Sequence, residues 1–310
     1  MFSTVLVPLD GSPAAEMALP TARGLATALG AQVNLLRVVR RPVGLLDGHA
    51  AAIREAASYL DGLARELSAS NLRVRTQVRS GDVAEAILAE IGEARVDLVV
   101  MATRGHSGLV RAVLGSTASE VLSRSPVPVV LLRADSRGLS GVKRLLVPLD
   151  GSAGAALALG AGIDLAHATG AHLSLLQVVT PIPVWTYDAS VGFSFGQHID
   201  PSWDEAALAG AKRYLEHLVD DLRERGIYAH GRAVLGDVAR TISRTAQDVA
   251  ADLIVMSTRA HTGPTRAVLG SVADEVVRVA QSPVLLLPYG RVSASRERQM
   301  DASAEPARSI

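Results

Sequence analysis

Two stretches of this chain bring together residue types that hold phosphate groups. Met101 to Ser116 reads MATRGHSGLVRAVLGS, and Met256 to Ser271 reads MSTRAHTGPTRAVLGS. Each follows an apolar strand-like run, Val96 to Val100 and Ala251 to Val255, and each ends in Gly-Ser where a helical pattern begins. A helix start presents unpaired N–H groups and the positive end of its dipole, and glycine lets an anion approach without a Cβ in the way. The same Gly-Ser pairs, Gly115-Ser116 and Gly270-Ser271, are also good helix-cap chemistry, so recurrence alone does not show that both loops bind.

A second repeated feature is Asp10-Gly11-Ser12 and Asp150-Gly151-Ser152, each closing a Val-Pro-Leu run. Asp-Gly-Ser makes turns and caps in its own right. It gains a binding role only where the loop after the fourth strand lies beside it. Arg104 and Arg111, matched by Arg259 and Arg266, either pair with phosphates or stand as solvated loop and helix-face arginines. His106 and His261 are matched too, but no partner ligands stand at metal spacing and the chain has no cysteine, so no protein-only metal site is expected. A divalent ion carried by a triphosphate fits better.

Several enzyme classes lack their residues. The two lysines, Lys143 and Lys212, lie outside any Gly-rich loop, so there is no Walker-type phosphate lysine. The first strand of each half runs into Asp-Gly-Ser rather than the Gly-x-Gly-x2-Gly of a dehydrogenase. The His-rich or Ser-Gly-Gly loop of a nucleotidyl-transfer enzyme is absent there as well. No nucleophile–base pairing is legible by motif, so no catalytic residue is assigned; slow ATP hydrolysis or self-phosphorylation stays open.

The elements that must position these loops follow from a duplication. Val5 to Ser12 recurs as Leu145 to Ser152, and Asn34 to Val39 aligns with Ser174 to Val179, both at a shift of 140. Gly81-Asp82-Val83-Ala84 recurs as Gly236-Asp237-Val238-Ala239 at a shift of 155, which holds through Gly115 and Gly270. A net insertion of 15 residues therefore lies between, most naturally near 180–202, where Trp185, Tyr187, Phe193 and Phe195 cluster. Those aromatics either cover the second site or a partner surface, or merely anchor the insertion; Asp188, His198 and Asp200 are too scattered for a catalytic role.

Each half alternates strand and helix. In the first, strands are predicted near 4–9, 32–39, 72–78, 96–102 and 128–132, with helices near 13–29, 48–69, 83–93 and 115–124. The strands are apolar at consecutive positions, as in a parallel sheet buried on both faces. The fold class is thus α/β: two tandem doubly wound domains, each a five-stranded parallel sheet flanked by helices, Rossmann-like and suited to nucleotides. Ligands in such sheets sit at the strand carboxyl ends near the point where strand order reverses. Domain boundaries are expected at 1–137 and 144–290, joined by a polar linker at 138–143, with a disordered tail at 291–310.

Composition narrows the setting. The 310 residues are 48% hydrophobic and 20% charged with a formal net charge of zero, which removes the footprint of a general nucleic-acid binder. No signal-like leader and no apolar run long enough for a membrane span is present, so a soluble cytoplasmic protein is expected.

Over about residues 2–134 and 142–289 the chain resembles a tandem two-domain member of the universal stress protein family. Nucleotide-binding members of that family carry Gly-x2-Gly-x9-Gly-Ser/Thr after strand four and an Asp ending strand one. On the first half this pattern falls on Ala102, Gly105, Gly115 and Ser116; on the second it falls on Ser257, Ala260, Gly270 and Ser271. The resemblance implies ATP or another adenine nucleotide, with or without Mg2+, lying across the strand ends. It implies that Asp10 accepts from the ribose and that Val38 lines the adenine pocket, with Pro8 and Gly11 also among the nucleotide-binding residues. Gly105, Gly115, Ser116 and Thr117 would then hold the phosphates, with Ala102, Thr103 and Arg104 also counted among the nucleotide-binding residues. The corresponding second-half residues are Asp150, Val178, Ser257, Gly270 and Ser271. There Ala260 and Pro264 depart from the pattern by adding a methyl and removing an amide donor, so the first half is expected to be the better site. The resemblance further implies a stress-response role through nucleotide-dependent conformation or partner binding. It also implies an internal pseudo-two-fold dimer of the domains through their last strands, and leaves a homodimer open. The alternative is an interaction module that keeps the fold without the nucleotide.

Overall fold

A computed structural model of the chain describes residues 2–40, 46–103, 114–133, 136, 138–139, 141–181, 184–188, 192–198, 201–259 and 270–289. The first half runs β1 (Thr4–Leu9), α1 (Pro13–Glu16), α2 (Ala18–Leu29), β2 (Gln32–Val39), α3 (Leu46–Ser68), β3 (Val74–Ser80), α4 (Val83–Glu93), β4 (Leu98–Ala102), α5 (Ser116–Arg124) and β5 (Val129–Leu132). The second runs β6 (Arg144–Leu149), α6 (Ala153–Thr169), β7 (His172–Val179), β8 (Val184–Asp188), β9 (Gly192–His198), α7 (Pro201–Glu224), β10 (Ala229–Leu235), α8 (Val238–Asp248), β11 (Leu253–Arg259), α9 (Ser271–Val279) and β12 (Val284–Tyr289).

Both halves have the same strand order, β3-β2-β1-β4-β5 and β10-β7-β6-β11-β12, with parallel pairing inside each half. The expected α/β fold, two tandem parallel sheets flanked by helices, is the one observed. The sheets join where β5 meets β12 antiparallel, with Val130 opposite Leu285, to give one ten-stranded sheet. Side chains alternate across it. Val5, Val7, Val33 and Leu35 enter a core on one face; Leu6, Leu36, Val99 and Leu131 enter a core on the other. Burial on both faces explains why the strands read as continuous apolar runs.

The repeated Gly-Asp-Val-Ala motif proves to be helix-start machinery. Asp82 accepts hydrogen bonds from the Ala84 and Glu85 amides at 3.0 and 3.1 Å, and Asp237 accepts from the Arg240 amide at 3.0 Å. Each carboxylate thereby satisfies amide donors that the first helical turn leaves open.

Two local expectations change. The single helix over 13–29 is broken at Met17 into α1 and α2. Pro20 has no N–H to offer the Glu16 carbonyl and its ring crowds that carbonyl, so the turn cannot continue regularly. The second half has Gly160 at the matching position and its α6 is continuous. The linker is also not purely polar and solvated: Leu139 and Val142 are buried. The backbone of Leu139 comes so near α2 that a Cβ on Gly24 would stand 2.8 Å from the Leu139 carbonyl oxygen. A glycine is needed there for the close approach. Residues 291–310, expected as a tail, lie outside the described residues.

The insertion near 180–202 contains β8 and β9, which pair antiparallel as a separate two-stranded sheet with Tyr187 opposite Phe193.

Candidate functional site

In the first half the strand order reverses between β1 and β4, and their carboxyl ends diverge into a cleft of about 690 Å³. That volume lies within the range of small-molecule sites. Pro8 and Asp10 come from the end of β1, Val38 from the end of β2, and Ala102 and Thr103 from the end of β4. Gly115, Ser116 and Thr117 close it from the start of α5. Eight of the predicted residues therefore line one cavity. Gly11 is not one of its lining residues. Arg104 and Gly105 lie outside the described residues, as do the loop positions that distinguish the halves, Ala260 and Pro264.

Asp10 shows that turn chemistry and site placement coexist. Its Oδ1 accepts from the Ser12 amide at 2.9 Å and from the Ser12 hydroxyl at 2.6 Å. The Ser12 hydroxyl oxygen in turn accepts from the Ala15 amide at 3.1 Å, capping α1. The second half repeats the frame: Asp150 accepts from the Ser152 amide at 2.9 Å, and Ser152 from the Ala155 amide at 3.2 Å. The carboxylate is thus held by its own loop while it borders the cleft.

At the other end, Gly115 is the capping residue and Ser116 the first residue of α5, with no side-chain cap bond. Gly270 and Ser271 stand in the same relation to α9. The serine hydroxyls are therefore not serving as helix caps. The Gly115 amide donates to the Thr103 carbonyl at 2.8 Å, tying the helix start to the end of β4. An anion here would take its donors from the Ser116, Thr117 and Ala118 amides, which have no carbonyl four residues back within the helix. In the second half Asp150 follows β6, Val178 lies in β7, and Ser257 lies in β11, so these residues occupy the corresponding strand ends.

Sequence reasoning missed part of the wall. Leu36, Val83 and Ile87 give it an apolar side, while Arg37, Arg40 and Glu55 bring charge. Arg37 points to the opposite face of β2 from Leu36 and Val38, and its Cζ sits 4.8 Å from the Tyr59 ring centroid. The Tyr59 hydroxyl donates to Glu16 Oε1 at 2.7 Å. Burial, reinforced by that bond to a carboxylate, pushes the Tyr59 hydroxyl well above the usual phenol range, so it stays protonated. Nothing in the linear sequence joins residues 16, 37 and 59; only their convergence on one face does.

A serine–histidine contact also appears: Ser80 Oγ lies 3.0 Å from His49 Nε2, at the end of β3. The other ring nitrogen, Nδ1, is buried without a hydrogen-bond partner. A nucleophile–base pair needs a third group to orient the base, and none is present among the described residues. Among the described residues no cluster of three or more His, Asp or Glu could hold a metal ion, and no helix is long and apolar enough to cross a membrane.

Comparison with known proteins places this architecture. Residues 1–133 and 141–288 each match a family model described as the universal stress protein family. A universal stress protein of Mycolicibacterium smegmatis is 28% identical over 221 residues, covering 70% of this chain and 69% of the relative. One from Thermus aquaticus is 34% identical over 147 residues, covering 43% of this chain and the whole of the relative. Among solved structures, a universal stress protein from Archaeoglobus fulgidus superposes with a TM-score of 0.70 at 21% identity, covering 93% of this chain and 98% of the other. At that identity the superposition speaks to the fold.

Proposed function

Because the chain belongs to the universal stress protein family, with both halves matching it, we propose that its first half binds an adenine nucleotide and that binding controls its conformation or partners in a stress response. The ligand proposed is ATP, with or without Mg2+. The observation that carries this reading is the single cleft of about 690 Å³ in which Asp10, Val38 and the start of α5 converge. The adenine packs against Val38 and Leu36. Asp10 accepts from the ribose hydroxyls. The phosphates take the Ser116 to Ala118 amides and the Ser116 and Thr117 hydroxyls, where the helix dipole favours negative charge. By the family pattern, Arg104 and Gly105 are further phosphate contacts. These residues bind and orient; the reading assigns no chemical step to them.

The second half is the weaker site under this reading, with Asp150, Val178, Ser257, Gly270 and Ser271 as its counterparts. The units are residues 1–137 and 144–290. The β5–β12 pairing supports reading them as an internal pseudo-dimer, since it buries the strand edge of each. A cytoplasmic setting completes the proposal, which leaves a homodimer of chains open.

Gly115→Trp tests it. Gly115 has φ −62° and ψ 152°, which any residue adopts, so the variant keeps its backbone while an indole fills the phosphate end. ATP affinity falls at least about 10-fold if the cleft is the site, because the phosphates must give up charge-assisted hydrogen bonds. Equal affinities for variant and wild type would sink the assignment.

A further inference from the structure

The two halves differ at a point away from the Gly-Ser loops. Arg37 lines the first cleft, in register with Leu9 and so immediately beside Asp10. Its guanidinium is held over the Tyr59 ring, and Tyr59 is anchored to Glu16. Gly11, at φ +80°, makes room for it: a Cβ there would stand 2.7 Å from Arg37 Nη1. Among the described residues Arg37 makes no ion pair. The second half keeps the tyrosine, as Tyr214, but has Gln177 for the arginine and Ala156 for the glutamate. Gly151, at φ +77°, has nothing within 4 Å of its would-be Cβ. At this strand position one half therefore carries an oriented cation and the other a neutral amide.

We propose that Arg37 is a second anion-recognising group, and that the first cleft favours adenine nucleotides bearing a phosphate on the ribose 2′ or 3′ oxygen in addition to the 5′ phosphate. This rests on the nucleotide reading above. The cleft has two positive poles. One is the start of α5, after β4. The other is Arg37 on β2, two strand spacings or about 10 Å across the sheet, with β1 and Asp10 between them. In a ligand whose 5′ phosphates sit on α5, the one remaining ribose hydroxyl donates to Asp10 while the phosphorylated neighbouring oxygen faces Arg37, whose cation offsets the nearby carboxylate. A guanidinium suits such a contact, because its planar fork takes two oxygens of one phosphate and the Tyr59 stack fixes its direction before the ligand arrives.

Titration calorimetry of the full chain with adenosine 5′-monophosphate, adenosine 3′,5′-bisphosphate and adenosine 2′,5′-bisphosphate tests this, using wild type, Arg37→Gln and Arg37→Lys. At least one bisphosphate is expected to bind wild type about 10-fold more tightly than the monophosphate, the worth of a charge-assisted contact. The better bisphosphate identifies the oxygen. That ratio collapses toward unity in Arg37→Gln, the residue found in the second half, and persists in part in Arg37→Lys. Equal affinities in wild type, or a preference that survives Arg37→Gln, would overturn the inference while leaving the nucleotide site standing. With ATP titrated alongside, failure of all three nucleotides to bind wild type would overturn this inference, and failure of ATP as well would overturn both.

Discussion

Gly11→Ala and Gly151→Ala form a matched pair that isolates one contact. The two glycines hold nearly the same backbone conformation, φ +80° and +77°, so an alanine at either should cost about 1 kcal/mol for the left-handed region alone. Their surroundings differ. The new methyl at position 151 meets open space, whereas at position 11 it lies 2.7 Å from Arg37 Nη1 and forces the guanidinium back by about 0.7 Å to reach ordinary contact. The guanidinium is the far end of a flexible side chain, so it can yield. In yielding it loses part of its stack on Tyr59, worth about 0.5–1 kcal/mol. Gly11→Ala should therefore cost about 1.5–2 kcal/mol, against about 1 kcal/mol for Gly151→Ala. Thermal unfolding followed by circular dichroism reads the difference, with each kcal/mol moving Tm by roughly 2–4 °C in domains of this size. Adenine-nucleotide affinity should fall in Gly11→Ala and hold in Gly151→Ala. A Gly151→Ala variant as destabilised as its partner, or one that weakens nucleotide binding equally, would refute the reasoning about the Arg37 wall.

Tyr59 gives a pH signature. Its raised pKa means that the folded chain keeps this proton above pH 10, where an unfolded tyrosine releases it. The folded state then binds more protons, so the contribution is fully present below about pH 10 and is lost as pH rises further. Tyr59→Phe should flatten the alkaline limb of a stability–pH curve and cost about 1 kcal/mol at neutral pH through the lost bond to Glu16; an unchanged limb would count against it. At the seam between the sheets, Val130 is fully buried opposite Leu285. Val130→Asp places an unpaired charge in the middle of the sheet and should destabilise by roughly 4 kcal/mol or more. A Tm within a few degrees of wild type would mean that the β5–β12 joint does not hold the halves together.

Much of this molecule was legible in the sequence because its signals are local. Consecutive apolar residues marked the strands, and their recurrence at shifts of 140 and 155 marked the two like halves. Asp10, Val38, Ala102 and Ser116 could be placed at strand and helix ends from motif and resemblance, and they line one cleft. Other features depend on contacts between distant residues. Arg37, Tyr59 and Glu16 sit on three separate elements, and no spacing rule joins them. Leu139 looked like linker because its neighbours are polar, yet its side chain is buried and its backbone packs into the glycine gap in α2. The α1–α2 break has a local cause that the apolar spacing masks: a proline at the eighth position of a helical pattern removes a hydrogen bond wherever it stands. The Ser116 hydroxyl could not be told from a cap by type alone; only the position of Gly115, one residue earlier, decides it.

The most direct test of the central claim is a crystal structure of the full chain grown with ATP and Mg2+. The account predicts electron density for nucleotide in the first cleft, with the adenine against Val38, the ribose at Asp10 and the phosphates at the Ser116 end of α5. Density at some other surface, or an empty first cleft at saturating ATP, would contradict it.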